Sequence, residues 1–98
     1  MITVHIEAAQ QAKQAIQLVQ SAVAAEVARL ELAVQMAHQR LAPFERKYDV
    51  TSEQFCTEMA AEDLDGGDDE YVRWAGEYKL LQRLQDKLTQ LKEIAYIA

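Results

Sequence analysis

The sequence predicts an all-α fold, a long antiparallel helical hairpin of coiled-coil type that dimerises into a helical bundle. Half of the 98 residues are apolar, yet the chain has only three glycines and one proline, a composition typical of helices. Two long stretches also carry apolar residues at alternating three- and four-residue spacings, as in coiled coils. A chain of this length forms one domain, residues 1–98, and a compact monomer of this size buries only about 60% of its unfolded surface. Pairing between helices and between chains is therefore expected to stabilise it.

The first predicted helix covers about residues 5–48. No glycine or proline lies between Ile6 and Ala42, and the stretch is rich in Ala, Gln, Leu and Glu. Its apolar seam consists of Ala9, Ile16, Val23, Leu30, Ala37 and Phe44, joined by Val27, Val34, Leu41 and Tyr48. At 1.5 Å per residue, the uninterrupted part would be roughly 55 Å long. A helix of this length is expected to pack along a second long helix.

Both ends of this first segment allow specific predictions. The first six residues, MITVHI, alternate apolar and polar side chains, which is a strand pattern. Ribbon-helix-helix regulators begin with such a strand, and Thr3 and His5 would then face DNA bases; the alternative is a frayed helix start with Thr3 near the N-cap. Towards the other end, Pro43 predicts a kink or a break, because it lacks a backbone donor and crowds the preceding turn. Asp49 then ends the helix, since Asp tolerates left-handed geometry.

A short helix is predicted over about residues 52–62. Thr51 and Gln54 have the spacing of a capping box, and Val50 and Phe55 occupy the positions of a hydrophobic staple. The side chains expected to point inward are Phe55, Met59 and Cys56.

The last predicted helix covers about residues 69–96. Gly66 and Gly67 separate it from the short helix, and Asp68 or Asp69 is expected to cap it. Its acidic first turn complements the positive end of the helix dipole. The seam continues along Trp74, Tyr78, Leu81, Leu84, Leu88, Leu91 and Ala95, with the same period as the seam of the first helix.

The negative charge of the chain is concentrated in one segment. The formal net charge is −6, and residues 48–72 hold nine acidic residues and neither lysine nor arginine. This balance argues against nucleic acid as the main partner, because phosphate recognition needs clustered cations. Cys56 is the lone cysteine, and no apolar run approaches 18 residues. We therefore expect a cytoplasmic protein with neither signal peptide nor membrane span.

No cofactor, metal site or catalytic group is predicted. The stretch DLDGGDDEY begins at Asp63, but the EF-hand register would place Asp68 where glycine is required and Trp74 where the bidentate Glu belongs. One cysteine and two distant histidines, His5 and His38, do not form a zinc ligand set. The chain has no Gly-rich phosphate loop, and no base is placed to activate Cys56. We therefore expect a protein that is not an enzyme.

Two stretches carry a family resemblance, FERKYDVTSEQF (44–55) and DDEYVRWAGEYKLL (68–81). They resemble a group of short, largely uncharacterised prokaryotic helical proteins that are antitoxin-like and are often encoded beside a small toxin. That group combines a Phe-Glu-x-Lys-Tyr-Gly turn, a Ser/Thr-Ser-Glu-Glu-Phe cap, an acidic Gly-Asp-Asp break and an aromatic-x-x-Trp helix start. This chain departs from the pattern with Asp49 where Gly is usual and with Pro43 just ahead of the Phe. The resemblance covers about half of the chain and implies a helical hairpin without catalytic residues.

The leading functional hypothesis is a non-enzymatic, antitoxin-like module that binds a small basic partner protein, the toxin, and forms a homodimer. Seven acids in thirteen residues exceed what helix capping needs, and a cationic partner would offset their mutual repulsion. Trp74 lies on one helical stripe with Tyr71 and Tyr78, which either closes a small core or serves as an exposed anchor. The predicted partner-binding residues are Glu58, Glu62, Asp63, Asp65, Asp68, Asp69, Glu70 and Trp74. The alternatives are a structural coiled-coil dimer with a solvating acidic loop and, less favoured, a DNA-binding regulator.

Overall fold

The protein is an antiparallel helical hairpin. The computed structural model describes the backbone of residues 2–97 and the side chains of residues 7–96. Helix α1 spans Ile2–Tyr48, α2 spans Ser52–Glu58, a 3-10 turn spans Ala61–Asp63, and α3 spans Gly67–Ile97. The molecule measures 75 × 19 × 19 Å. The predicted all-α hairpin with a short capped helix in its connection is confirmed.

The first helix is longer than the sequence predicts and is not interrupted. It begins at Ile2, and the backbone of residues 2–6 is helical, so the alternative of an N-terminal strand is not seen. The side chains of Thr3 and His5 lie outside the described residues. Of the kink or break predicted at Pro43, the break is wrong, because α1 continues through the proline to Tyr48. Pro43 and Gln39, whose carbonyl loses its partner, are both exposed, so water can replace the missing hydrogen bond.

Helix α1 ends with a left-handed residue and a closing backbone hydrogen bond. Asp49 has a φ of 53°, the left-handed conformation predicted for the residue after the helix. The N–H of Val50 then donates to the carbonyl of Glu45 at 3.3 Å, and Val50 packs against the hydrophobic core.

The capping box of α2 is confirmed. The Gln54 N–H donates to Thr51 Oγ1 at 3.1 Å, and the Thr51 N–H donates to Gln54 Oε1 at 3.0 Å. The helix ends at Glu58, earlier than predicted, because Met59 is extended and the chain then enters the 3-10 turn. Asp63 fixes that turn by accepting a hydrogen bond from the Ala60 N–H at 2.9 Å. Cys56, predicted to point inward, is exposed.

The two long helices, α1 and α3, pair in antiparallel orientation along the apolar seams predicted for them. Ion pairs mark the register: Lys47–Glu70 at 3.1 Å, Arg40–Glu77 at 2.9 Å and Lys92–Glu31 at 3.4 Å. The continuous core lies where α1 and α3 meet the connection, and it is formed by Ala37, Leu41, Phe55, Leu64, Trp74 and Leu81. Leu30, further along α1, is fully buried as well.

Because α3 is shorter than α1, the hairpin is asymmetric. Lys92 lies opposite Glu31, and α3 ends five residues later at Ile97, near the level of residue 26 of α1. The described side chains upstream of this level, residues 7–22, are all exposed. Residues 2–22 are called the arm below. The molecule therefore has two distinct ends, the arm and the connection between the long helices.

Candidate partner-binding site

The connection end of the hairpin is held rigidly by an aromatic stack. Trp74 is fully buried and lies parallel to Phe55, with ring centroids 3.8 Å apart and an interplanar angle of 1°. Phe44 and Tyr48 stack against the same indole, with centroids 5.4 and 5.7 Å away. Tyr71 packs on Phe55 at 5.1 Å. One tryptophan thus joins α1, α2 and α3, so the connection has a fixed geometry.

A buried hydrogen-bond chain orients this indole. Trp74 Nε1 donates to Ser52 Oγ at 2.9 Å, and Ser52 Oγ donates to Glu45 Oε2, also at 2.9 Å. The same carboxylate oxygen accepts the Ser52 N–H at 3.0 Å. Glu45 therefore holds the first residue of α2 by two bonds and, through the Ser52 hydroxyl, satisfies the only polar atom of the Trp74 side chain.

This packing corrects the expectation that Trp74 serves as a partner anchor. The indole is 0% exposed and has its hydrogen-bond partner within the chain, so it presents no surface to another protein. Of the two roles open to the stripe of Tyr71, Trp74 and Tyr78, closing the core is the one the structure supports. All three residues belong to the core or pack directly against it.

Glu70 also differs from its prediction as a contact residue, because it is 7% exposed and bonded within the chain. Its carboxylate accepts hydrogen bonds from the Lys47 ammonium at 3.1 Å and from the Gly66 N–H at 2.8 Å. Glu70, and not Asp68 or Asp69, therefore caps the turn before α3. A Cβ on Gly66 would lie 2.5 Å from Glu70 Oε2, so this position needs glycine for the close approach.

The surroundings of Glu70 determine its ionisation. Burial raises the pKa of the carboxyl, but hydrogen bonds from Lys47, Gly66 and Tyr48 outweigh it, and the pKa lies below its ordinary value. The hydrogen bond to Glu70 raises the pKa of Lys47 in turn, against a smaller opposing effect of burial. Glu70 and Lys47 are thus a charged structural pair that joins α1 to the start of α3.

The other six predicted acids form an exposed surface at the same end, called the acidic surface below. Its members are Glu58 at the end of α2, Glu62 and Asp63 in the 3-10 turn, Asp65 after it, and Asp68 and Asp69 in the first turn of α3, all with exposed side chains. Asp65 lies 3.8 Å from Lys47. Within the described part of the chain, Glu58, Glu62, Asp68 and Asp69 have no basic side chain within ion-pair distance.

Neither a nucleophile nor a metal centre is assembled beside the acidic surface. Desolvation raises the pKa of the Cys56 thiol, with a smaller opposing effect from Lys79, which is the reverse of what an activated thiolate needs. No group of three or more His, Cys, Asp and Glu side chains suited to a metal ion occurs among the described residues. Across residues 2–97, no helix is both long enough and apolar enough to cross a membrane.

The residues that hold the acidic surface in place, above all Glu45, Lys47 and Ser52, were not predicted from the sequence. One signal was available, since Glu45 and Ser52 flank a turn with a strong capping box. Their convergence on Trp74, 22 residues from Ser52, has no local signature. No protein-family model, curated protein or solved structure gives a significant match to this chain.

Proposed function

We propose that this chain is a non-enzymatic, antitoxin-like protein-binding module that acts as a homodimer. It binds a small basic partner protein, a toxin, through its acidic surface. Single-cysteine usage and charge favour a cytoplasmic setting. The observation that carries the proposal is a set of exposed, largely unpaired carboxylates on a rigid end of the fold.

Helix capping does not account for these charges. Asp68 and Asp69 complement the dipole of α3, and Asp63 caps its own turn, but Glu70 already fills the capping position at Gly66. Glu58 lies at the C-terminal end of α2, where negative charge is unfavourable to the helix dipole. Like charges held close together oppose folding, and a cationic partner would relieve this repulsion on binding.

Rigidity makes the surface suited to recognition. The aromatic stack and the Glu45–Ser52–Trp74 chain fix the elements that carry the six acids, so little conformational entropy is lost when a partner binds. If the partner acts on RNA, its substrate site is cationic, and the carboxylates would occupy the positions of phosphates.

The test is an affinity capture at native expression level with two variants of equal charge. The binding variant carries Glu58, Glu62, Asp68 and Asp69 as Gln or Asn, because these four acids make no ion pair that folding needs. The control variant neutralises four exposed acids away from the acidic surface: Glu7, Glu31, Asp86 and Glu93. Of these, Glu31 pairs with Lys92, and because both side chains are more than half exposed, this ion pair contributes little to stability.

We expect the wild type and the control to recover the same small basic protein, with an affinity that falls as salt rises, and the binding variant to lose it. Recovery that is equal for both variants would refute the electrostatic contact. Recovery of the chain alone by every bait would favour the alternative, a structural dimer with a solvating acidic connection. A short, basic, co-transcribed neighbouring gene would support the antitoxin-like role.

A further inference from the structure

The arm carries an apolar face that no part of the described chain covers. Ala15, Ile16 and Val19 line a shallow concave surface on it, and the side chains of Ile16 and Val19 are 55% and 57% exposed. At 3.6 residues per turn, these positions continue the same face of α1 on which α3 packs further along, at Leu30, Ala37 and Leu41. The apolar seam of α1 is thus continuous, and α3 covers only its second half.

The total exposed area is larger than that of a compact monomer of the same mass, by more than a dimer interface on the arm would need. A compact monomer of 11.1 kDa exposes about 5,700 Å². This chain exposes 7412 Å². The excess, about 1,700 Å², is roughly twice the area that each partner contributes to a stable protein interface.

We infer that the arm binds the arm of a second copy of this chain in antiparallel orientation, so that the partner's α1 continues the line of α3. That the chain forms a homodimer is part of the proposed function, on which this inference rests. The inference adds which surface forms the dimer interface and how the two chains are oriented. The dimer is a single rod with an acidic surface at each end.

Steric exclusion decides the orientation. On the seam face of α1, α3 occupies the volume from about residue 26 to Tyr48. A partner helix that ran parallel to α1 on this face would pass beyond the arm into that volume. An antiparallel partner runs away from α3, and it meets α3 only where the first turn of its α1 comes level with the last turn of α3.

Side-chain sizes fit an antiparallel register with the twofold axis between residues 15 and 16. Two larger residues of the arm, and Val23 just beyond it, then lie opposite alanines: Ile16 opposite Ala15, Val19 opposite Ala12, and Val23 opposite Ala8 of the partner. Large-to-small pairing of this kind allows helices to approach closely. The same register brings the start of the partner's α1 beside the end of α3, where Ile94 and Tyr96 are 51% and 92% exposed.

The test compares two neighbouring substitutions, Val19→Glu and Leu18→Glu. Both residues are exposed aliphatic side chains on the arm and neither belongs to the core. Leu18 is the more exposed, at 72% against 57%, but it points about 100° away around the helix. Mass from light scattering and maximum dimension from small-angle X-ray scattering are measured for the purified full-length chain, with Trp74 fluorescence to report the intact hairpin.

The expected result for wild type and Leu18→Glu is a dimer of about 22 kDa, twice the chain mass, with a maximum dimension of about 110 Å for overlapping arms. Val19→Glu should give an 11.1 kDa monomer of 75 Å with unchanged fluorescence. A wild-type monomer would overturn the inference, as would a dimer only about 75 Å long, or dissociation by Leu18→Glu but not by Val19→Glu.

These measurements separate the dimer geometry from the partner binding of the proposed function: a dimer only about 75 Å long would refute the geometry and leave the homodimer, whereas a wild-type monomer would refute both. Val19→Glu leaves the acidic surface intact, so the monomeric variant should still capture the basic partner. Loss of capture by the acidic-surface variant, in turn, leaves the rod of about 110 Å unchanged.

Discussion

Ser52→Ala tests the hydrogen-bond chain at the connection end of the hairpin. The Ser52 side chain is buried, and its hydroxyl is the acceptor for Trp74 Nε1 at 2.9 Å. Alanine removes this acceptor but keeps the bond from the Ser52 backbone N–H to Glu45. The indole N–H is then a buried donor without a partner.

An orphaned buried donor costs about 1–3 kcal/mol, a large part of the roughly 5–15 kcal/mol by which small domains are stable. For a chain of this length, each kcal/mol lowers the melting temperature by about 4–8 °C. We expect Ser52→Ala to reduce the free energy of unfolding by about 2 kcal/mol. The assay is urea unfolding followed by circular dichroism at 222 nm, at one protein concentration, because dimerisation makes stability concentration-dependent.

A double-mutant cycle with Trp74→Phe isolates the hydrogen bond. Phenylalanine has no N–H, so Ser52→Ala should cost at least about 1 kcal/mol less in the Trp74→Phe background than in the wild type. Ser21→Ala, the same change at an exposed position of the arm, should alter stability by no more than about 0.5 kcal/mol. The hydrogen bond is not responsible if Ser52→Ala lowers the free energy of unfolding equally in both backgrounds. The same holds if its effect is no larger than that of Ser21→Ala.

Three further predictions concern the turns at the same end. Asp49→Gly should raise the free energy of unfolding by about 0.5–1 kcal/mol, because relief of the left-handed strain exceeds the added entropy of glycine; chemical denaturation measures it. Thr51→Ala should lower it by about 1 kcal/mol through loss of the α2 cap, whereas Thr51→Ser should retain most of the stability. Because the pKa of Glu70 is lowered in the folded state, the ionised carboxylate stabilises the fold above its ordinary value of 4.5, and this contribution is lost as the pH falls through the lowered pKa. Melting temperatures between pH 3 and 6 should therefore fall less steeply for Glu70→Gln than for the wild type, and equal slopes would contradict the role of the pair.

Features that depend on residues close in the chain could be predicted from the sequence. The seams of α1 and α3 follow from apolar periodicity, the α2 start from the Thr51–Gln54 spacing, and the end of α1 from the tolerance of Asp49 for positive φ. Each of these features depends on the conformational preferences of three to seven neighbouring residues, and such preferences can be predicted from the amino-acid sequence. Matching periods also predicted that the two long helices pair.

Features that depend on contacts between distant residues could not be predicted in this way. Pro43 does not break α1, because Leu41 and Phe44 on either side pack into the core while the proline faces solvent. Trp74 and Glu70 are withdrawn from the surface by partners 22 to 23 residues away, which no local pattern encodes. The arm is likewise a tertiary result. Its sequence continues the seam without interruption, and only the level at which α3 ends leaves its apolar face uncovered.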